Sequence, residues 1–201
     1  MDKIIYLDNN ATTMVDPQVL EEMLPFFCER YGNPSSQYDF GGNIAKEIEK
    51  SRQQVAALLG AKNEDEIVFT SCGTESDNIA ILGTLNYYND KRHIITSSVE
   101  HPAVLNLCKK LEKDGYHITY LPVDKDGDID IELLKESITN DTAIVSIMYA
   151  NNETGVCFPI EEIGAFLKSK GIPFHVDGVQ AVGKMPIDVA KLNCDMFSIS
   201  G

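Results

Sequence analysis

The sequence predicts an α/β protein in three layers, with a mostly parallel sheet and helices on both faces. Three observations carry that prediction. Apolar runs rich in Ile and Val alternate along the chain with stretches of helical period, the order that builds a parallel sheet. The runs are apolar throughout, as strands covered on both faces are. Polar segments follow several of the runs at once, and an open sheet collects its ligands beyond the carboxyl ends of its strands.

In chain order, Pro17–Tyr31 and Gly42–Leu59 carry apolar residues at helical spacing and are predicted helices. Ile67-Val-Phe-Thr-Ser71 is the first predicted strand and leads to a helix over Ser76–Asn89. His93–Ser97 is the next strand, built on Ile94 and Ile95, and a helix over Pro102–Asp114 follows it. His117–Pro122 and Thr142–Tyr149 are strands with a short helix, Ile131–Ser137, between them. Pro159–Lys170 is helical, and Pro173–Val176 and Met196–Ser200 are the last two strands. Val123-Asp-Lys-Asp-Gly-Asp128 resembles a calcium loop in outline only. Lys135 sits near the place where such a loop needs its Glu, and no flanking helix precedes it, so an ordinary acidic turn is expected.

Composition narrows the function. With 201 residues and 43% hydrophobic content the chain can bury one sizeable core, and no run approaches the roughly 18 apolar residues of a membrane helix. The start, Met1-Asp2-Lys3-Ile4-Ile5-Tyr6, lacks the basic and long apolar regions of a signal peptide, so a cytoplasmic location is expected. Acidic residues outnumber Lys plus Arg by 31 to 17, and a net charge of −14 disfavours nucleic acid as a partner. Cys28, Cys72, Cys108, Cys157 and Cys194 are odd in number, spread out and free of any C-x-x-C pair, which argues for reduced thiols. His93, His101, His117 and His175 lack helix-spaced ligand partners, so no metal site is expected.

The strand ends hold the candidate chemistry. Cys72-Gly-Thr-Glu-Ser-Asp-Asn78 opens a helix, where Gly73 permits close backbone approach, Thr74 offers a hydroxyl, and free N–H groups favour an anion such as phosphate. A simple capping turn on Thr74 or Ser76 is the alternative. His101, just before Pro102, could stack on a flat ligand or move a proton near neutral pH. Asn152 follows the Thr142–Tyr149 run and could donate its amide to a ligand oxygen, although Asn and Gly in this segment also favour a plain turn. Asp177, at the mouth of a covered sheet, needs a cation or strong donor, and no Lys or Arg neighbours it in sequence. Pyridoxal phosphate supplies a matching set: a ring nitrogen for Asp177, a phenolic oxygen for a donor such as Gln180, a face for His101, and a phosphate for Gly73, Thr74 and Ser200. Magnesium at Asp177 is the rival, but a second acid is not near it in sequence.

Seven colinear blocks then resemble one family. Tyr6-Leu-Asp-Asn-Asn-Ala-Thr-Thr13, Gly32-Asn-Pro-Ser-Ser36, Asp65-Glu-Ile-Val-Phe-Thr-Ser-Cys-Gly-Thr-Glu-Ser-Asp-Asn78, Glu100-His-Pro-Ala-Val104, Asn151-Asn-Glu-Thr-Gly155, His175-Val-Asp-Gly-Val-Gln180 and Ser198-Ile-Ser-Gly201 resemble the cysteine desulfurases. These are the class V branch of the fold-type I pyridoxal-phosphate enzymes, and the likeness is nearest to the nitrogen-fixation type. The resemblance implies the three-layer large domain of that fold over residues 15–201, incomplete at its C-terminus, preceded by an arm, 1–14, belonging to a small domain. It implies that Gly73, Thr74 and Ser200 hold the phosphate and that His101 stacks on the ring and assists proton transfer. Asn152 and Gln180 would face the phenolic oxygen, and Asp177 would pair with the ring nitrogen. L-cysteine would be the substrate, alanine the product, and a persulfide on the enzyme the carrier of sulfur to an acceptor or iron–sulfur scaffold protein.

In the family the lysine that binds the cofactor covalently follows the Ser-x-Ser-Gly motif, and the sulfur-accepting cysteine lies further on. Lys184 and Lys191 do not match that lysine. The expectation is therefore that the 201-residue chain alone is inactive and that a homodimer forms when the protein is full-length. An incomplete large domain would also leave apolar surface exposed. Cys72 is expected to be a small buried thiol. Two departures from the family pattern stand out: Gly178 occurs where Ala is usual, which would loosen the turn after Asp177, and Tyr38 stands near a place often held by His. A selenocysteine lyase of the same branch, or a non-catalytic truncated paralogue that binds a partner subunit, are the alternative readings.

Overall fold

The computed structural model describes residues 4–201, so residues 1–3 of the expected arm lie outside the described residues. The chain divides into two compact units, Met1–Val68 and Phe69–Gly201. The first holds helices α1 (Pro17–Cys28) and α2 (Asp39–Leu59) and a 3-10 turn at Glu64–Glu66. Asp16 caps α1 by accepting from the Gln18 N–H, with Pro17 in the first turn where a missing N–H costs nothing. Gly60, left-handed at φ 70°, ends α2. A Cβ on Gly41 would come within 2.3 Å of the Asn33 carbonyl oxygen and 2.6 Å of Ser36 Cβ, so the Asn-Pro-Ser-Ser turn rests directly on the start of α2.

The second unit is the sheet domain. Its elements run α3 (Gly73–Tyr87), β1 (His93–Ser97), α4 (Pro102–Lys113), β2 (His117–Leu121), α5 (Ile131–Ser137), β3 (Thr142–Met148), α6 (Ile160–Lys170), β4 (Phe174–Asp177), α7 (Val189–Leu192) and β5 (Met196–Ser198). The strands form one sheet in the order β2-β1-β3-β4-β5, and every neighbouring pair is parallel. Alternation along the strands divides the core in two. Ile94 and Ile144 pack with Ile81 and Leu85 of α3 and Val104 and Leu111 of α4. Ile95, Val145, Ile147 and Phe174 pack on the other face with Leu134 of α5 and Ile163 and Leu167 of α6. The predicted three-layer architecture is thus present, and β1, β3 and β4, buried along their whole length, explain the unbroken apolar runs there.

Ile67–Ser71 departs from its expected strand. None of the five strands pairs with it, and Val68 and Phe69 are exposed. Arg52 of α2 instead donates to the Ile67 carbonyl, which takes that acceptor out of any sheet ladder. The short α7 was not expected; Asp188 caps it by accepting from the Ala190 N–H. Asp124 accepts from the N–H groups of Asp126 at 2.8 Å and Asp128 at 3.0 Å, the bonding of an ordinary acidic turn. Helix α3 is apolar on two sides: Ile81 and Leu85 are buried, while Ile79, Leu82 and Tyr87 are exposed.

Candidate active site

The chain order reverses between β1 and β3, since β2 lies on one side of β1 and β3, β4 and β5 follow on the other. Such a switch point opens a crevice at the carboxyl ends of the strands. The segments beyond β1 and β3 are tied across it. Glu100 Oε1 accepts from the Met148 N–H at 2.9 Å and from the Ser97 hydroxyl at 2.7 Å. Asn151 Nδ2 donates to the Val99 carbonyl at 3.0 Å, and its Oδ1 accepts from the N–H groups of Glu153 and Thr154. Asn151 therefore shapes the loop that carries Asn152.

Helix α3 begins at Gly73, with Cys72 in the cap position. Thr74 and Ser76 lie inside the helix, so neither is the cap that the simpler reading required. A Cβ on Gly73 would meet Val179 Cγ2 at 3.2 Å and Ser200 Cβ at 3.9 Å. Gly73, Val179 and Ser200 thus converge on one helix N-terminus, where backbone N–H groups and the helix dipole favour an anion. Cys72 is exposed, which corrects the expectation of a buried thiol. The cause is local: the strand expected before it does not form. The Glu75 N–H and the Ser71 hydroxyl draw the Cys72 thiol below its ordinary pKa.

His101 is exposed and is itself the cap of α4, with Nδ1 accepting from the Ala103 N–H at 3.2 Å. That bond leaves the proton of a neutral ring at Nε2. Asp177 ends β4, is buried, and accepts from the Val179 N–H at 3.0 Å. Burial raises its pKa, while the Val179 N–H and the charge of His101 oppose the rise. His101 and Asp177 are therefore electrostatic neighbours although 76 positions separate them. Asn152 donates to Glu153 Oε1 at 3.1 Å and Gln180 accepts from the Lys184 ammonium, both contacts local to their own loops. Gly178 is buried rather than loose. Its N–H donates to the Ser198 carbonyl at 2.8 Å, and a Cβ there would lie 2.2 Å from the Phe197 ring, which fills the space alanine would take.

The fold also supplies the second acid that sequence neighbours lacked. Asp77 of α3 is 2% exposed and Glu100 is 3% exposed, and the charge of Asp177 acts on both. Burial is the main cause that pushes Asp77 up to about 7 and Glu100 up to about 8. His175 of β4 has Nε2 3.6 Å from Asp77 Oδ1 and is bonded through Nδ1 to the Ser146 hydroxyl at 2.9 Å and through Nε2 to the Ser198 hydroxyl at 2.9 Å. Its complete burial brings its pKa down to about 4. Asp77 carried a sequence signal: it continues the inner stripe of Ala80, Ile81, Thr84 and Leu85 back by three positions, a charge at a core-facing place.

These shifts set a pH dependence. An acid raised in the folded state binds more protons folded than unfolded, so Asp77 and Glu100 make stability fall as pH rises from about 4 to 8. His175, lowered from 6.5 to about 4, works the other way, but only below 6.5. Between pH 6.5 and 8 the acids act alone, and the urea midpoint is expected to fall. Glu100→Gln, which mimics the protonated acid, is expected to flatten that fall. A wild-type slope retained by the variant would remove Glu100 as its source.

Fold and site together define an open α/β domain whose strand ends carry a glycine at a helix start, a buried carboxylate and an exposed histidine. Comparison with known sequences places it more closely: the profile described as aminotransferase class-V matches residues 5–201, and the chain belongs to that family. It is 59% identical over 198 residues to a protein named cysteine desulfurase from Nostoc sp. (strain PCC 7120), covering 98% of this chain and 49% of that one. It is 52% identical over 197 residues to cysteine desulfurase NifS of Azotobacter vinelandii, with coverages of 98% and 49%. Among solved structures, a NifS-like protein matches with a TM-score of 0.94 at 44% identity over 98% of this chain and 54% of that one. A structure titled SspA in complex with cysteine matches with a TM-score of 0.94 at 40% identity, over 98% of this chain and 56% of its own. The chain spans about half the length of the curated relatives it matches. Among the described residues, no helix is long and apolar enough to cross a membrane.

Proposed function

We propose that this chain is part of a pyridoxal-phosphate cysteine desulfurase, which removes sulfur from L-cysteine to leave L-alanine. The observation that carries the reading is the meeting of Gly73, Val179 and Ser200 at the start of α3, with Val179 two residues beyond buried Asp177, on whose charge exposed His101 acts. The residues fit the cofactor. A phosphate suits a glycine-lined helix N-terminus with the Thr74 and Ser200 hydroxyls beside it, and a cationic ring nitrogen suits Asp177, whose burial is otherwise opposed only by one N–H and His101. When bound, pyridoxal phosphate supplies an electron sink for negative charge at the substrate α-carbon.

The chain's own residues orient and move protons. Asp177 would hold the ring nitrogen protonated, and Asn152 and Gln180 would fix the phenolic oxygen side. His101, with Nδ1 already engaged by the Ala103 N–H, would lie against the ring, present its Nε2–H as a donor and assist proton transfer at the substrate. A cysteine thiolate of the enzyme would attack the substrate sulfur, forming an S–S bond as the substrate C–S bond breaks, so the enzyme keeps a persulfide for an acceptor or iron–sulfur scaffold protein. The same reading has residues 1–14 in a small domain, residues 15–201 in the large one, a homodimer as the full-length form, and a cytoplasmic location.

The test uses the gene product purified from its own cells and supplied with pyridoxal phosphate, L-cysteine and a reductant. Alanine and sulfide in equal amounts are expected. Turnover of L-selenocysteine with none of L-cysteine would establish the selenocysteine lyase alternative, and transfer of the amino group to an oxoacid would overturn the reading.

A further inference from the structure

Asp77, Glu100, Asp177 and His175 come from α3, the loop after β1, and β4, and all are buried. Their surroundings differ in a way that assigns the charge. Glu100 Oε1 accepts both of its donors, while Oε2 is buried without a hydrogen-bond partner. That is the arrangement of a neutral acid: the carbonyl oxygen accepts and the other oxygen carries the proton. Asp77 Oδ1 is likewise buried without a hydrogen-bond partner, 3.6 Å from His175 Nε2. The Ser198 hydroxyl serves as a hub beside it, 2.8 Å from the Ser76 hydroxyl and 2.9 Å from His175 Nε2. Asp177 differs from both, because it has a backbone donor in Val179 and the charge of His101 nearby.

Three buried carboxylates, with the Asp177 charge acting on Asp77 and on Glu100, cannot all ionise in a low dielectric. The groups facing Asp77 are Asp177 and His175 of β4, Ser198 of β5 and Glu100 beyond β1. Those facing Glu100 add the buried Cys108 thiol of α4 and the Ser97 hydroxyl. Lys and Arg contribute no charge to either set, and His175, held between two hydroxyls, is neutral. We propose that Asp77 is a positioning residue that carries a proton in the Ser76–Ser198–His175 network, so that the negative charge of the buried acids rests on Asp177. The upward displacement of Asp77 and Glu100 by burial and by the Asp177 charge agrees with that arrangement.

The inference rests on the proposed function only for what Asp177 binds; the protonation of Asp77 stands without it. The first readout needs no ligand. The infrared difference spectrum between wild type and Asp77→Asn at pH 6 is expected to contain the carbonyl band of one protonated carboxylic acid, and a carboxylate band in its place would overturn the proposal. The second is pyridoxal phosphate binding by equilibrium dialysis from pH 6 to 9. At pH 6, Asp77→Asn is expected to bind like wild type, within ~3-fold, because Asn mimics the neutral acid; the ionisation of Asp77 above that pH adds attraction for a cationic ring that the variant lacks, up to about tenfold per unit of pKa coupling. Loss of binding at pH 6 as deep as that of Asp177→Asn would mean that Asp77 holds the charge itself. If Asp177→Asn binds like wild type while the infrared band is present, the cofactor reading fails and the proton assignment survives.

Discussion

Asp177→Asn is expected to weaken pyridoxal phosphate binding by roughly 30-fold or more, since removing one member of a buried charge pair costs about 2–5 kcal/mol. The variant keeps the shape of the site. Its Oδ1 can still accept from the Val179 N–H, which lies 3.0 Å from the native carboxylate, so a loss of binding reports the loss of charge. The ligand-free protein should respond in the opposite direction. Burial raises the pKa of Asp177, which means that the ionised carboxylate costs stability when no cation meets it. The variant is therefore expected to melt no lower than wild type without ligand and to gain less from added pyridoxal phosphate. Equilibrium dialysis and thermal melts on the same samples check both halves. Equal affinity for the two proteins would show that the ring nitrogen does not depend on residue 177.

The sequence held most of the architecture because both faces of the sheet are covered. His93–Ser97 is buried along its whole length, so its composition, not its alternation, marks it, and its limits fell where expected. Ile67–Ser71 has the same composition but lacks a partner strand, and pairing is a property of distant segments that a local run cannot report. The site divides in the same way. Gly73, His101, Asn152, Asp177 and Ser200 stand beside strand ends or helix starts, where position alone suggests a ligand. Asp77 and Glu100 feel the charge of Asp177 from other elements, and only the fold brings them there. Cys72 sits exposed at the cap of α3; the resemblance, in which another cysteine accepts the sulfur, carries no information about its exposure.

Gly164→Ala is expected to destabilise the sheet domain by about 3 kcal/mol, the upper end of the usual range for overpacking, and Gly83→Ala is expected to stabilise it by about 0.5–1 kcal/mol. Both glycines lie inside α-helices, where alanine is otherwise the better residue by propensity and by the entropy it removes from the unfolded chain. Space decides the sign. A Cβ on Gly83 meets nothing within 4 Å, whereas one on Gly164 would sit 1.9 Å from the Leu192 carbonyl oxygen. That contact is with backbone, so no rotamer change relieves it; α7 must move away from α6. Leu192 is buried in the core with Leu167 and Phe174, and Asn193, at φ 53°, turns the chain into β5. A displaced α7 therefore disturbs the segment that leads to Ser198 and Ser200. At roughly 2–4 °C per kcal/mol for a chain of this size, Gly164→Ala should melt ~10 °C below wild type and Gly83→Ala slightly above it. A shift of the same sign in both variants would show that propensity, not the close approach of α6 and α7, governs these positions.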